Sequence, residues 1–375
     1  MSLNKDEITH YSRHLLLEEV GKSGQEKLKS SSVLIIGGGG LGCPAALYLA
    51  AAGVGKLGII DFDTVDVSNL QRQIAFSYDD VGKPKAEQLK ARLQGINPHI
   101  QIVTYQDRFG IDNAEMLFNE YDVVVDGCDN FGTRYLSNDT SFFTKTPLIF
   151  GAIHRFQGQM SVFNQTQESP CYRCLFPEPP DAGSIPNCAE AGVIGVLPGV
   201  VGSIQATEAI KVLLGLGESL SGRFMTYDAM TMRFSEFKLG KNPGCPLCGE
   251  KTTIKELKET ELLCASQQIQ NDDVAPADLA VEMQSSDKIY LIDVREEFEW
   301  DICKLQDSNQ IPLRMIEDVA SVLPKDKDIV IYCHHGIRSR QAIEMLKKHG
   351  LKNLRNLTGG ISQWAEEVDT DMPQY

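Results

Sequence analysis

The stretch SSVLIIGGGGLGCPAALYLAAAGVGKLGIIDFD, residues 31–63, decides the fold. A hydrophobic run, VLIIG (33–37), enters a cluster of glycines. An alanine-rich helical pattern follows, and a second hydrophobic run, LGIID (57–61), ends on Asp61. Strand, glycine turn, helix and strand in that order read as the opening βαβ unit of a Rossmann-like nucleotide site. Gly37, Gly38, Gly39, Gly40 and Gly42 allow close approach of the backbone to a phosphate at the helix N-terminus. Gly37, Gly39 and Gly42 satisfy G-x-G-x-x-G, and Asp61 falls 19 residues after Gly42, about where a ribose-binding acid is expected. This fingerprint leaves the ligand open, because the pyrophosphate of NAD and the triphosphate of ATP both suit it.

Further strand candidates are IQIVTY (100–105), YDVVVDG (121–127) and TPLIFGAI (146–153), with helical patterns such as KPKAEQLKARLQGI (83–96) between them. The alternation predicts an α/β domain over residues 1–249 with a largely parallel, doubly wound sheet. Residues 250–275 are polar with mixed charge and predict a linker. A second, smaller α/β domain is expected over 276–375. KIYLIDVR (288–295) reads as strand, EDVASVLP (317–324) as helix, DIVIYC (328–333) as strand, SRQAIEMLKKHG (339–350) as helix and NLRNLTGG (353–360) as strand and turn.

A chain of 375 residues is long enough for two domains. With 36 basic against 51 acidic residues it carries a net charge of −15, which argues against a nucleic-acid partner. No run of about 18 apolar residues is present, and MSLNKDEITHYSRH is no signal peptide, so the expectation is a soluble cytoplasmic protein without a membrane partner. Ten cysteines in such a compartment point to metal or thiol chemistry rather than a disulfide framework.

The neighbours of the glycine loop favour ATP. DFDTVDVSNLQRQ (61–73), VGKPKAEQLK (81–90) and VVDGCDN (124–130) supply carboxylates, amides and cations for which hydride transfer has no evident use. An enzyme that breaks the α–β bond of ATP needs carboxylates for Mg²⁺, Arg and Lys against the phosphates, and groups that fix the ribose. An NAD-dependent oxidoreductase stays as the alternative.

Taken together, GGGGLG, DFDTVDVSNLQRQ, VGKPKAE, DGCDN, CYRC, CAEAGV and NPGCPLCG resemble, in this order, the MoeB/ThiF family of adenylyltransferases, relatives of the enzymes that activate ubiquitin-like proteins. The resemblance covers about the first 250 residues. It implies that Gly40 and its neighbours hold the ATP phosphates, with Asp61 and Asn69 at the ribose and Asp63 and Ser68 in the same nucleotide-binding set. It further implies that Arg72 and Lys85 contact phosphates, and that Asp129 binds Mg²⁺ with Asn130 beside it. Arg13, in HYSRH, matches an arginine inserted into the partner subunit's site, which implies a homodimer.

Two Cys-x-x-Cys pairs, Cys171/Cys174 and Cys245/Cys248, are separated by 70 residues. Each presents two thiolates, and together they predict a closed, structural Zn²⁺ site. Cys188, in IPNCAEAGVIGV, belongs to neither pair and matches the family cysteine that attacks, or is attacked in, the activated carrier.

Cys333 ends the strand DIVIYC and opens CHHGIRS before a helix, where backbone N–H groups and the helix N-terminus favour an anionic thiolate or persulfide. Only four residues separate it from Arg338, and Ser339 stands where a phosphatase loop has its arginine, so the loop is the shorter sulfur-transfer type. With DVREEFEW (293–300), IPL (311–313) and LTGGISQW (357–364), residues 276–375 resemble a rhodanese. They depart from it at DICKLQDSNQIPL, where Cys303 and Lys304 replace the usual G-H-I. His334 and His335 are expected either to add positive character or to be ordinary polar loop residues.

The combination implies adenylation of the C-terminal glycine of a ubiquitin-like sulfur-carrier protein, then sulfur transfer from a Cys333 persulfide to form a thiocarboxylate. The implied sulfur donor is a cysteine desulfurase or thiosulfate. In a second reading the rhodanese unit only docks partners.

Overall fold

The computed structural model describes residues 2–180, 192–258, 272–285 and 288–375. Cys188, and residues 259–271 of the expected linker, lie outside the described residues. The chain divides into two compact units, the first built on the described residues up to 258 and the second on those from 272 onward.

The first unit is organised by an eight-stranded sheet. Its strands are β1 (Ser32–Ile36), β2 (Lys56–Ile60), β3 (Gln101–Tyr105), β4 (Val123–Asp126), β5 (Leu148–His154), β6 (Gln157–Phe163), β7 (Arg223–Asp228) and β8 (Arg233–Lys238). The spatial order is β3-β2-β1-β4-β5-β6-β7-β8. Strands β1 to β5 are parallel, whereas β6, β7 and β8 are added antiparallel. The central strands are apolar and buried on both faces, as covered parallel strands must be: Val33, Leu34, Ile35, Val124 and Val125 have no exposed surface. The order reverses between β1 and β4, so the ends of these two strands form the switch-point crevice where an open α/β sheet binds ligands. The glycine loop lies there.

The helix Gly42–Ala52 leaves that loop and is buried along most of its length. One described helix, Leu197–Leu214, is long and apolar enough to cross a membrane. It packs instead on the helix Gly42–Ala52 and across β4, β5 and β6, with Val201 and Ala209 fully buried.

The second unit has a five-stranded, all-parallel sheet in the order β11-β10-β12-β13-β9. The strands are β9 (Asp273–Val274), β10 (Ile289–Asp293), β11 (Asn309–Gln310), β12 (Asp328–Tyr332) and β13 (Leu354–Leu357). Residues 317–324, expected as a helix, form successive turns after a 3-10 turn at Leu313–Met315. Eight residues ended by Pro324 give too few hydrogen bonds to repay helix nucleation, and Ile316, Ala320 and Leu323 reach the core from turns instead. The helix expected from 339 runs over Ile337–Lys348, so the sulfur loop passes directly into its N-terminus.

Candidate functional sites

Two glycines make the nucleotide loop possible. Gly37 holds φ at +87°, in the left-handed region, and lies against Gly127 at the end of β4. A Cβ on Gly42 would sit 1.8 Å from the Gly37 carbonyl oxygen, so no side chain fits there. Asp61 is buried, and both its oxygens serve the loop: Oδ2 accepts from the Gly38 N–H at 2.7 Å and Oδ1 from the Asp63 N–H at 2.8 Å. Burial pushes its carboxyl above the usual range against the pull of these amides and Lys85. Lys85 is buried, with its Nζ 3.1 Å from Oδ2 of half-exposed Asp63. Its own N–H donates to the Asp63 carbonyl, which ties the VGKPKAE segment to the end of β2.

SNLQRQ follows as a short 3-10 turn, Val67–Asn69, capped by Asp66, which accepts from the Ser68 N–H. Asn69 Nδ2 reaches Ser68 Oγ, and Arg72 Nη1 donates to the Ser68 carbonyl at 3.0 Å. A Cβ on Gly40 would come within 3.8 Å of the Arg72 side chain and 3.3 Å of Pro198. The structure therefore gathers Gly40, Asp61, Asp63, Ser68, Asn69, Arg72 and Lys85 around one loop. Asp129 is exposed just beyond Gly127. Asn130 is the N-cap of the helix Phe131–Thr144, its Oδ1 accepting from the Thr133 N–H at 2.9 Å. Arg13 is exposed on the helix Ser12–Leu15 and makes no ion pair among the described residues.

Gln73 escaped the sequence reading. It is buried, its Oε1 has no partner among the described residues, and its amide nitrogen faces Gly39. Pro198 and Gly195, which backs onto Gln71, come from more than a hundred residues away, and no local pattern announces them.

The four cysteines of the two Cys-x-x-Cys pairs converge and are all buried. Sulfur–sulfur distances from Cys171 are 3.8 Å to Cys174, 3.5 Å to Cys245 and 3.4 Å to Cys248, with 3.3 Å between Cys174 and Cys248. Bonds of about 2.3 Å in a tetrahedron put sulfurs roughly 3.8 Å apart, so the set is compatible with zinc. Arg173, between the ligands of the first pair, is held by Asp139 through two bonds of 2.8 Å. Two other thiols are buried bystanders: burial pushes Cys43 up to about 12 and Cys128 well above its ordinary value.

In the second unit Cys333 is buried at the end of β12 and accepts from the Gly336 N–H at 3.1 Å. Gly336 is left-handed at φ +92°, which turns its amide inward before the helix Ile337–Lys348. Ser339 Oγ lies 3.6 Å behind the sulfur. Arg338 forks onto buried Glu299 with bonds of 2.7 and 2.6 Å. Burial raises the Glu299 carboxyl, but Arg338 and the Glu296 amide outweigh it and hold it below its ordinary value. His334 adds no positive character: burial and His335 push it down to about 4, which leaves it neutral at pH 7. Its ring lies 4.1 Å from His335 and 4.4 Å from Tyr375. Arg295, fully buried with Asp293, reaches the Cys303 carbonyl at 2.8 Å, so the departure from G-H-I still anchors the arginine through its backbone.

A glycine-loop nucleotide site at the switch point of a sheet, a four-thiol cluster and a separate sulfur loop define a nucleotide-dependent enzyme joined to a sulfur-handling unit. The ThiF family matches residues 11–247 and the rhodanese-like domain residues 276–367. The chain belongs to the ThiF family and carries a C-terminal rhodanese domain. It is 42% identical to the probable adenylyltransferase/sulfurtransferase MoeZ of Mycobacterium tuberculosis, over all of this chain and 97% of that protein. It is 48% identical to the sulfur carrier protein adenylyltransferase of Thermus thermophilus, over 70% of this chain and 99% of that one. Identity to the adenylyltransferase and sulfurtransferase MOCS3 of Culex quinquefasciatus is 37%, over all of this chain and 90% of that protein. Among solved structures, E. coli MccB with ATP shares the fold at a TM-score of 0.54 and 24% identity, over 66% of this chain and 75% of that one. The chain is an adenylyltransferase and sulfurtransferase.

Proposed function

We propose that this enzyme adenylates the C-terminal glycine of a small ubiquitin-like sulfur-carrier protein and converts it to a thiocarboxylate. The observation that supports this is one chain holding both a glycine loop with Arg72 and Lys85 around it, Asp129 following two residues after Gly127, and a cradled cysteine, Cys333, at a helix N-terminus. In the first half-reaction the glycine carboxylate attacks the α-phosphorus of ATP, and the bond to pyrophosphate breaks. The glycine-loop amides and the helix Gly42–Ala52 hold the phosphates, while Arg72 and Lys85 stabilise the charge that leaves. Lys85 has only to exchange Asp63 for phosphate. Asp129 is the carboxylate for Mg²⁺, which when bound neutralises phosphate charge.

In the second half-reaction the terminal sulfur of a Cys333 persulfide attacks the acyl carbon and AMP leaves. A second thiolate, for which Cys188 is our candidate, then attacks the Cys333 sulfur: the thiocarboxylate leaves, a Cys188–Cys333 disulfide forms in its place, and an external thiol reductant returns both cysteines to thiols. A cysteine desulfurase or thiosulfate loads Cys333. The four-cysteine cluster holds structural zinc. Arg13 completes the site of a second copy, so the enzyme acts as a homodimer. Persulfide chemistry of this kind belongs in the reducing cytoplasm.

With a purified carrier, ATP–pyrophosphate exchange is expected only when the carrier ends in glycine, and mass spectrometry should show one sulfur in place of one oxygen. Exchange that proceeds equally without carrier would sink the reading. For zinc, the expected result is one metal per chain and a fall in Tm of more than about 10 °C in Cys171→Ser, since such sites contribute on the order of 10 kcal/mol to folding. Four freely alkylated thiols in the native protein would contradict it.

A further inference from the structure

Asp129 sits on the short segment between β4 and the helix Phe131–Thr144, and buried groups on either side hold that segment. Gly127 packs on the glycine loop: a Cβ there would lie 2.8 Å from the Ile36 carbonyl oxygen and 3.0 Å from that of Gly37. Asp126 is fully buried, and its Oδ1 accepts from the Cys128 N–H at 3.0 Å. Arg134, on the first turn of the helix and itself buried, donates from Nη2 to the Cys128 carbonyl oxygen at 3.3 Å. That carbonyl belongs to the peptide leading into Asp129, so the guanidinium fixes the plane from which the exposed carboxylate departs. On the far side, the Asn130 cap ties the next residue to the helix.

The Asp126–Arg134 pair is poorly arranged to stabilise the fold. Arg134 Nε stands 3.7 Å from Asp126 Oδ2, and neither atom has a hydrogen-bond partner among the described residues. A buried pair so loosely closed returns little of the cost of desolvating its two charges. The rings of Phe131 and Phe150, 5.6 and 5.3 Å from the guanidinium carbon, hold the fork in place, and the fork is spent on the loop.

We propose that Arg134 is a positioning residue which, paired with Asp126, holds the Cys128–Asp129 peptide and thereby aims the Asp129 carboxylate at the cation on the nucleotide phosphates. The proposal rests on reading Asp129 as the Mg²⁺ carboxylate.

The test is the affinity of the full-length protein for Mn²⁺, titrated by electron paramagnetic resonance in the presence of α,β-methylene ATP, whose α–β bridge resists cleavage. Asp126→Asn/Arg134→Met removes the pair without stranding a buried charge, and it keeps an oxygen for the Cys128 N–H. Mn²⁺ binding is expected to weaken about tenfold, the lower end of what groups behind a metal ligand contribute, and a loss below about threefold overturns the proposal. Combination with Asp129→Asn separates positioning from a general loosening of the unit. A residue that acts through Asp129 adds less than about threefold to the loss in Asp129→Asn, and a larger further loss overturns the proposal. Should the double substitution not fold, Arg134→Lys decides on the same titration, since it keeps the charge opposite Asp126 but not the planar fork. Weaker Mn²⁺ binding in that variant supports the proposal, and wild-type binding overturns it. Wild-type Mn²⁺ binding in Asp129→Asn alone removes the reading of Asp129 and the proposal with it. A loss in Asp129→Asn with none in the Arg134 variants removes the proposal only.

Discussion

Cys333→Ala is expected to lose thiocarboxylate formation by at least about a thousandfold with a persulfide donor, and cyanide-dependent sulfur transfer from thiosulfate with it, because no other group can carry the sulfur at that point. ATP–pyrophosphate exchange should stay within about twofold of wild type. The separation follows from the architecture. The glycine loop lies at the ends of β1, β2 and β4 of the first unit, and Cys333 ends β12 of a sheet that shares no strand with it. Replacing one buried sulfur by hydrogen costs stability on the order of 1 kcal/mol, too little to unfold the second unit. A parallel loss of exchange would show the alanine acting through the fold, and retained thiocarboxylate would place the sulfur carrier elsewhere.

How far the sequence could be read depended on how local each feature is. The glycine loop, the helix Gly42–Ala52 and strands β1 to β5 fell where the hydrophobic runs put them, because apolar parallel strands and glycine turns are written in a few adjacent residues. The two cysteine pairs were equally plain, since each knuckle is four residues long. The antiparallel extension β6–β7–β8 was not legible. Strand β8 is exposed along its whole length, so it has no core-facing alternation to betray it. The short second-domain helix failed for the opposite reason: its apolar residues do bury, but from turns. Asn130 has a structural task that the motif does not announce. DGCDN was read for the nucleotide, and the asparagine within it also caps a helix. Gln73 was missed because its meaning lies in an oxygen without a hydrogen-bond partner among the described residues, which only three dimensions reveal.

Asp129 and Asn130, adjacent in sequence, should separate cleanly when each is replaced. Asn130→Ala removes the acceptor of the Thr133 N–H at the start of a 14-residue helix whose middle is buried. The expected cost is about 1 kcal/mol, a fall in Tm of roughly 2–4 °C for a unit of this size. Asp129→Asn keeps the shape of an exposed side chain, so its Tm should match wild type. Its loss should appear in ATP–pyrophosphate exchange instead, reduced by about 10²–10³, because a neutral amide is a far poorer partner than a carboxylate for a cation clamped on phosphate. The magnesium dependence separates the possibilities further. A carboxylate that binds the ion predicts a shift to higher magnesium in Asp129→Asn, with part of the activity recovered at saturation. Exchange within about threefold of wild type at low magnesium would exclude Asp129 from the site, and the cation would then have to be held by substrate phosphates and other carboxylates near the loop, Asp63 foremost.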